Sequence, residues 1–257
     1  MWPFKKKHLQ EKTNPEIFST IICIPGVWKS WDEFMLTLVS ATNGDYLAAG
    51  NVLLNPKDNK HYNIQFCEYD DRMQTSFKYA GRATAVSDIF LDDINNHSHV
   101  IYISCPTGNL EDAKHIAFAA AAILKTGGIG IKIETAGKAF EKHKWLNLVD
   151  SFEESNLYEM FVIDSIVNED GSVHSCGMQN LGYKDCIVAG EELHIAISLI
   201  RIFGYYQIVD KPTIKDQQTF SESMEAPLYR IIDERSQPNK DLPMFANPFG
   251  MWRLAKI

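Results

Sequence analysis

The chain has 257 residues, 45% of them hydrophobic, and sets 33 Asp and Glu against 25 Lys and Arg for a formal net charge of −8. This is enough apolar material for one large core or two small ones, which excludes a mostly disordered chain. The acidic balance argues against nucleic-acid binding, because phosphate recognition needs clustered Lys and Arg, and only Lys5, Lys6 and Lys7 form a basic run.

No apolar stretch of signal-peptide or membrane-spanning length follows that run, so a cytoplasmic protein without membrane association is expected. The first 16 residues are polar and read as a peripheral segment. Phe18 to Pro25 reads as a buried strand, dense in Ile21, Ile22, Cys23 and Ile24 and ended by Pro25 and Gly26. Ser30 or Asp32 opens a helix with Phe34, Met35 and Leu38 on one stripe, stopped by Asn43 and Gly44. Tyr46 to Leu54 and Tyr62 to Tyr69 are predicted strands around the polar turn Asn55 to Asn59. A helix over Thr84 to Ile94 and a strand over Val100 to Cys105 complete the order strand, helix, strand, strand, helix, strand, which is that of a ferredoxin-like unit.

Leu110 to Thr126 is the clearest helix, with Asn109 as its cap, alanines at 119 to 122 and a glycine stop at Gly127 and Gly128. A second set of elements follows: strand Ile129 to Glu134, helix Ala139 to Phe152, strand Tyr158 to Val167, a turn at Asp170 and Gly171, and strand Val173 to Cys176. Helix Glu191 to Phe203 ends at Gly204, and short extended pieces lie at Tyr205 to Val209, Thr213 to Lys215 and Pro227 to Ile232. The fold class is α+β, as two packed ferredoxin-like or related α/β-sandwich halves over residues 17–126 and 127–235. One continuous sheet is the alternative. Residues 236–257 concentrate Phe245, Phe249, Met251 and Trp252 behind a polar linker, and are expected to dock on the protein or to offer a sticky patch.

No segment assembles a complete catalytic set, so the catalytic residues stay unknown. The five cysteines form an odd count without metal spacing and read as buried thiols. Cys105 precedes a capped helix, where free amides can lower a thiol pKa, but His115 stands about 9 Å further along the helix axis at 1.5 Å per residue, too far to place as its base. His97 and His99 share one side of extended backbone and stand with Asp70 and Asp71 as the first choices for a ligand or metal-dependent site between the halves. Two imidazoles do not make a zinc site, and neither metal nor cofactor is assigned. The glycines around Gly128 match neither the phosphate-loop nor the dinucleotide spacing.

The second half carries CGMQNLGYKD at Cys176 to Asp185, then a helix, then IKDQQTF at Ile214 to Phe220 and APLYRI at Ala226 to Ile231. With NHSHVIYIS at Asn96 to Ser104 and GIGIKIETAGK at Gly128 to Lys138, this resembles a bacterial family of uncharacterised domains, domain-of-unknown-function family 4261, over roughly residues 20 to 235. Gly177, Leu181, Gly182 and Asp185 fit its first segment; Leu181 replaces an aromatic, and Gln217 stands where a turn favours glycine. The resemblance implies no established activity. It favours a binding role, as in immunity or accessory proteins near toxin and secretion genes. From the residues themselves, Gly177 and Gly182 permit a turn or a close approach and Asp185 ties the loop, as a hinge or a pocket wall. The expectation is a protein that binds a protein partner or itself noncovalently, with a metal-dependent or small-molecule enzyme as the alternative.

Overall fold

The computed structural model describes residues 18–238, 240–242 and 245–257, and the expected peripheral segment 1–16 lies outside them. The apolar run at Ile21 forms β1 (Ser19–Gly26), and α1 (Trp31–Ala41) starts where the Ser30 hydroxyl accepts from the Glu33 amide, burying Phe34 and Leu38. The strand expected over Tyr46 to Leu54 folds back on itself. Gly50, at φ 58°, makes the tight turn between β2 (Leu47–Ala49) and β3 (Val52–Asn55), which pairs with β4 (Lys60–Glu68). A helix that was not expected, α2 (Met73–Ala80), comes first, and the helix expected over 84–94 is α3 (Asp88–Asn95), capped by Ser87. β5 (His99–Pro106) and α4 (Leu110–Lys125) stand where expected, with the Asn109 side chain accepting from the Asp112 amide at 2.8 Å.

β6 (Gly130–Ile133) turns at Gly137, φ 68°, into β7 (Lys138–Glu141), so the helix expected from Ala139 begins only at α5 (Lys142–Asp150). The remaining elements are α6 (Asn156–Phe161), β8 (Ile163–Val167), β9 (Val173–Cys176), β10 (Asp185–Val188), α7 (Leu193–Val209), β11 (Thr219–Phe220), β12 (Tyr229–Glu234) and β13 (Met251–Lys256). α7 passes through Gly204 instead of ending there, so Tyr205 to Val209 is helix and not strand.

The protein is α+β, built on two mostly antiparallel sheets rather than one continuous sheet. The first has the order β2-β3-β4-β5-β1-β6-β7 and the second β11-β12-β13-β10-β9-β8, and among the described residues only β10 and β13 run parallel. The ferredoxin-like element order is present along the chain, but the spatial order differs. β5 inserts between β1 and β4, which a ferredoxin-like sheet would pair. Because β6 pairs with β1 and β7 with β6, the first sheet keeps the chain through Glu141, so the change of sheet falls there and not near residue 127.

Ile22, Ile24, Ile64, Ile101, Ile103, Ile131 and Ile133 alternate onto one face of the first sheet, where α1, α4, α5 and α6 cover them in the largest core. α7 lays Ala196, Leu199, Ile200 and Phe203 on the second sheet, against Cys186, Tyr229, Trp252 and Leu254. The C-terminal stretch is therefore more than a docked tail: β13 is an internal strand of the second sheet, between β12 and β10.

Candidate functional site

The opposite face of the first sheet is only half covered. α2 and α3 pack Met73, Phe77, Phe90, Leu91 and Ile94 over Cys23, Val100 and Ala139. Beyond them the alternation that sends isoleucines inward leaves Asn63 and Gln65 of β4, Tyr102 and Ser104 of β5, and Lys132 with Glu134 around a cleft of about 530 Å³. The turn leading into α2 and the helix's first residues supply its rim through Asp70, Arg72, Met73 and Ser76.

The charges here come in pairs. Lys132 Nζ lies 2.8 Å from Glu134 Oε1 and donates to the Ser76 hydroxyl, with its side chain only 10% exposed. Arg72 grips Asp70 with two bonds, Nε at 2.8 Å and Nη2 at 2.7 Å, and this holds the Asp70 carboxyl down at about 2. Beneath the cleft the buried Cys23 thiol donates to Met73 Sδ at 3.7 Å. Burial first, and the Glu134 charge second, push that thiol far above its ordinary pKa, and burial does the same for the Tyr102 phenol. At neutral pH the thiol and phenol stay protonated while both carboxylate–cation pairs are closed, an arrangement suited to hydrogen bonding rather than to nucleophilic attack.

The histidine pair does not form a metal site. His97 is buried, its Nε2 accepts from the Asp70 amide at 3.1 Å, and its Nδ1 accordingly donates to the Ile94 carbonyl at 2.7 Å, so no ring lone pair is left for a metal. His99 stacks on Phe66 and uses Nδ1 on the Trp28 carbonyl at 2.8 Å. Both rings fasten loops to the end of the first sheet. Asp71 is exposed beside them, and no group of three or more potential metal ligands occurs among the described residues.

Cys105 faces the main core, where burial raises its thiol to about 12, so the helix start after it does not produce a thiolate. Gly177, Gly182 and Asp185 form a joint between the sheets. Gly177 has φ 122°, and a Cβ there would stand 2.0 Å from the Phe161 carbonyl oxygen; Gly182 has φ 84°, and its Cβ would meet the Gly108 oxygen at 2.1 Å. Asn180, between them, accepts from the hydroxyls of Thr20 and Thr135, each at 2.7 Å. Asp185 is buried and accepts from Ser175, from the Met178 amide and from Asn247. Met251 and Trp252 are buried in β13, with Lys184 Nζ 4.0 Å from the centre of the Trp252 ring. Phe245 and Phe249 reach the first half at Gly137 and Gly108.

Sequence reasoning passed over Lys132, Glu134, Tyr102 and Ser76. A signal was present in IKIE, Ile131 to Glu134, where charged residues alternate with isoleucines in a strand too apolar for a wet edge. Ser76 and Arg72 carried none, because α2 itself was not foreseen. Comparison of the chain with protein-family models, curated proteins and solved structures finds no match.

Proposed function

We propose that this chain is a cytoplasmic recognition protein that acts without covalent chemistry, seating part of a protein partner on the open face of the first sheet. Neutralising a toxin-like partner is the most concrete form of the reading, and the resemblance to the uncharacterised bacterial family prompts it. The observation that carries it is the state of the cleft: a concave face of exposed amides and half-buried hydroxyls whose four charges are already matched, Lys132 by Glu134 and Arg72 by Asp70. Matched charges leave shape and neutral hydrogen bonds to do the selecting. Mispaired charges on a wrong partner would be penalised at the same face.

The test fills the cleft. Asn63 and Gln65 are exposed, so Asn63→Trp with Gln65→Trp blocks the face without touching the core. The wild-type chain should capture a specific protein from extract of its native host and re-form a stoichiometric complex with it, seen by light scattering of the two purified components. The double variant should melt like wild type and lose the complex. A chain that captures nothing, or a complex that the double variant retains, contradicts the reading.

A further inference from the structure

We infer that a second cleft, between β7, α5 and α6 on one side and β8 and α7 on the other, binds a small oxyanion, a phosphate or carboxylate group, through the Lys138 ammonium and the Tyr158 hydroxyl. The inference does not rest on the partner reading, and the two clefts share no lining residue.

Lys138 and Tyr158 both line this cavity of about 660 Å³. Lys138 is buried, 7% exposed, and its Nζ donates to two carbonyls at the end of α6, those of Glu159 and Val162. An ammonium has three protons, and no carboxylate among the described residues lies within 4.0 Å of this one. Asp164, the carboxylate that acts on it most strongly, is committed elsewhere: Arg201 holds both its oxygens, at 2.7 and 3.2 Å. Burial pulls the Lys138 pKa down to about 8 against the charges of Asp164 and Glu159, and no direct ion pair offsets the cost of burying it. Tyr158 is 3% exposed, and its hydroxyl is a buried donor with no hydrogen-bond partner.

The fold makes room for this phenol. A Cβ on Gly204 would stand 2.2 Å from Tyr158 Cε2, so α7 carries a glycine in mid-helix where the ring passes. Helix-interior glycine is unfavourable, and here it seats a side chain whose polar end is left unsatisfied. Burial keeps the phenol protonated, hence a donor. Lys144, donating to the Thr84 carbonyl at 2.7 Å and within reach of the Glu141 charge, adds a cation to the same wall. An oxyanion in this cleft takes the third ammonium proton of Lys138 and the unpartnered Tyr158 hydroxyl together.

The experiment uses the full chain and two probes in separate arms, inorganic phosphate and acetate, followed by calorimetric titration and thermal melts. At least one probe should bind saturably at one site and raise Tm; which one does so names the anion class. Tyr158→Phe deletes only the hydroxyl, and it should weaken that binding about tenfold or more while leaving the ligand-free Tm unchanged or higher, because it removes an orphaned polar atom. Lys138→Met should abolish binding. Absence of saturable binding with both probes overturns the inference, as does binding that Tyr158→Phe leaves intact.

Discussion

Asp185→Asn should flatten the pH dependence of stability. The wild-type carboxyl is completely buried, and burial outweighs its bonds to Asn247, Ser175 and the Met178 amide, raising its pKa from 3.8 to about 7. A folded-state pKa above the unfolded one means that the native state binds the extra proton, so the stabilisation is full below about pH 4 and is lost as pH rises through about 7. At about 1.4 kcal/mol per pH unit, the wild type should lose about 3 kcal/mol between pH 5 and pH 8 through this one group. Asparagine keeps an oxygen for Ser175 and Met178 but points an amide at the donor of Asn247, a pH-independent cost of about 1–3 kcal/mol. Urea unfolding at both pH values separates the two effects. The variant should lose about 3 kcal/mol less than wild type over this range, since the remaining titrating groups are common to both. Parallel stability curves would refute the buried, proton-binding carboxyl.

Gly204→Ala should destabilise the protein by about 1–3 kcal/mol although alanine favours helix by about 1 kcal/mol, because the new methyl meets the Tyr158 ring; a raised Tm in a thermal melt would contradict this packing. His97→Ala should cost about 1–3 kcal/mol by orphaning the Asp70 amide and the Ile94 carbonyl, and zinc should change neither the wild-type nor the variant melt. A zinc-dependent rise in Tm that is lost in the variant would restore the metal reading.

What could be read in the sequence was what neighbours along the chain decide. The run at Ile21 and the caps at Ser30 and Asn109 are local signals, and β1, α1 and α4 stand where they point. The misreadings have distant causes. Lys138 to Glu141 contains good helix formers, yet Gly137 folds it onto β6 as a strand, where ladder bonds outweigh propensity. α2 buries only Met73, Phe77 and Ala80, too thin a stripe to stand out among Gln74, Thr75, Ser76 and Lys78. The apolar load after Leu242 was visible, but its role as an internal strand depends on β10, which lies more than sixty residues earlier and was not foreseen. Gln217 adopts φ 67°, a left-handed conformation that glycine takes more easily.

The open face was hidden for the same reason. Lys132, Tyr102, Gln65 and Ser76 come from four segments, and only the register of β4, β5, β1 and β6 with the placement of α2 brings them around one cleft. On the proposed function, this face receives the partner. Amide hydrogen exchange of the purified complex against the free chain tests it most directly. New protection should appear in residues 63–65 and 70–76, at the mouth of the cleft. Protection confined to α7 and the second sheet, with that face exchanging as in the free chain, would contradict it.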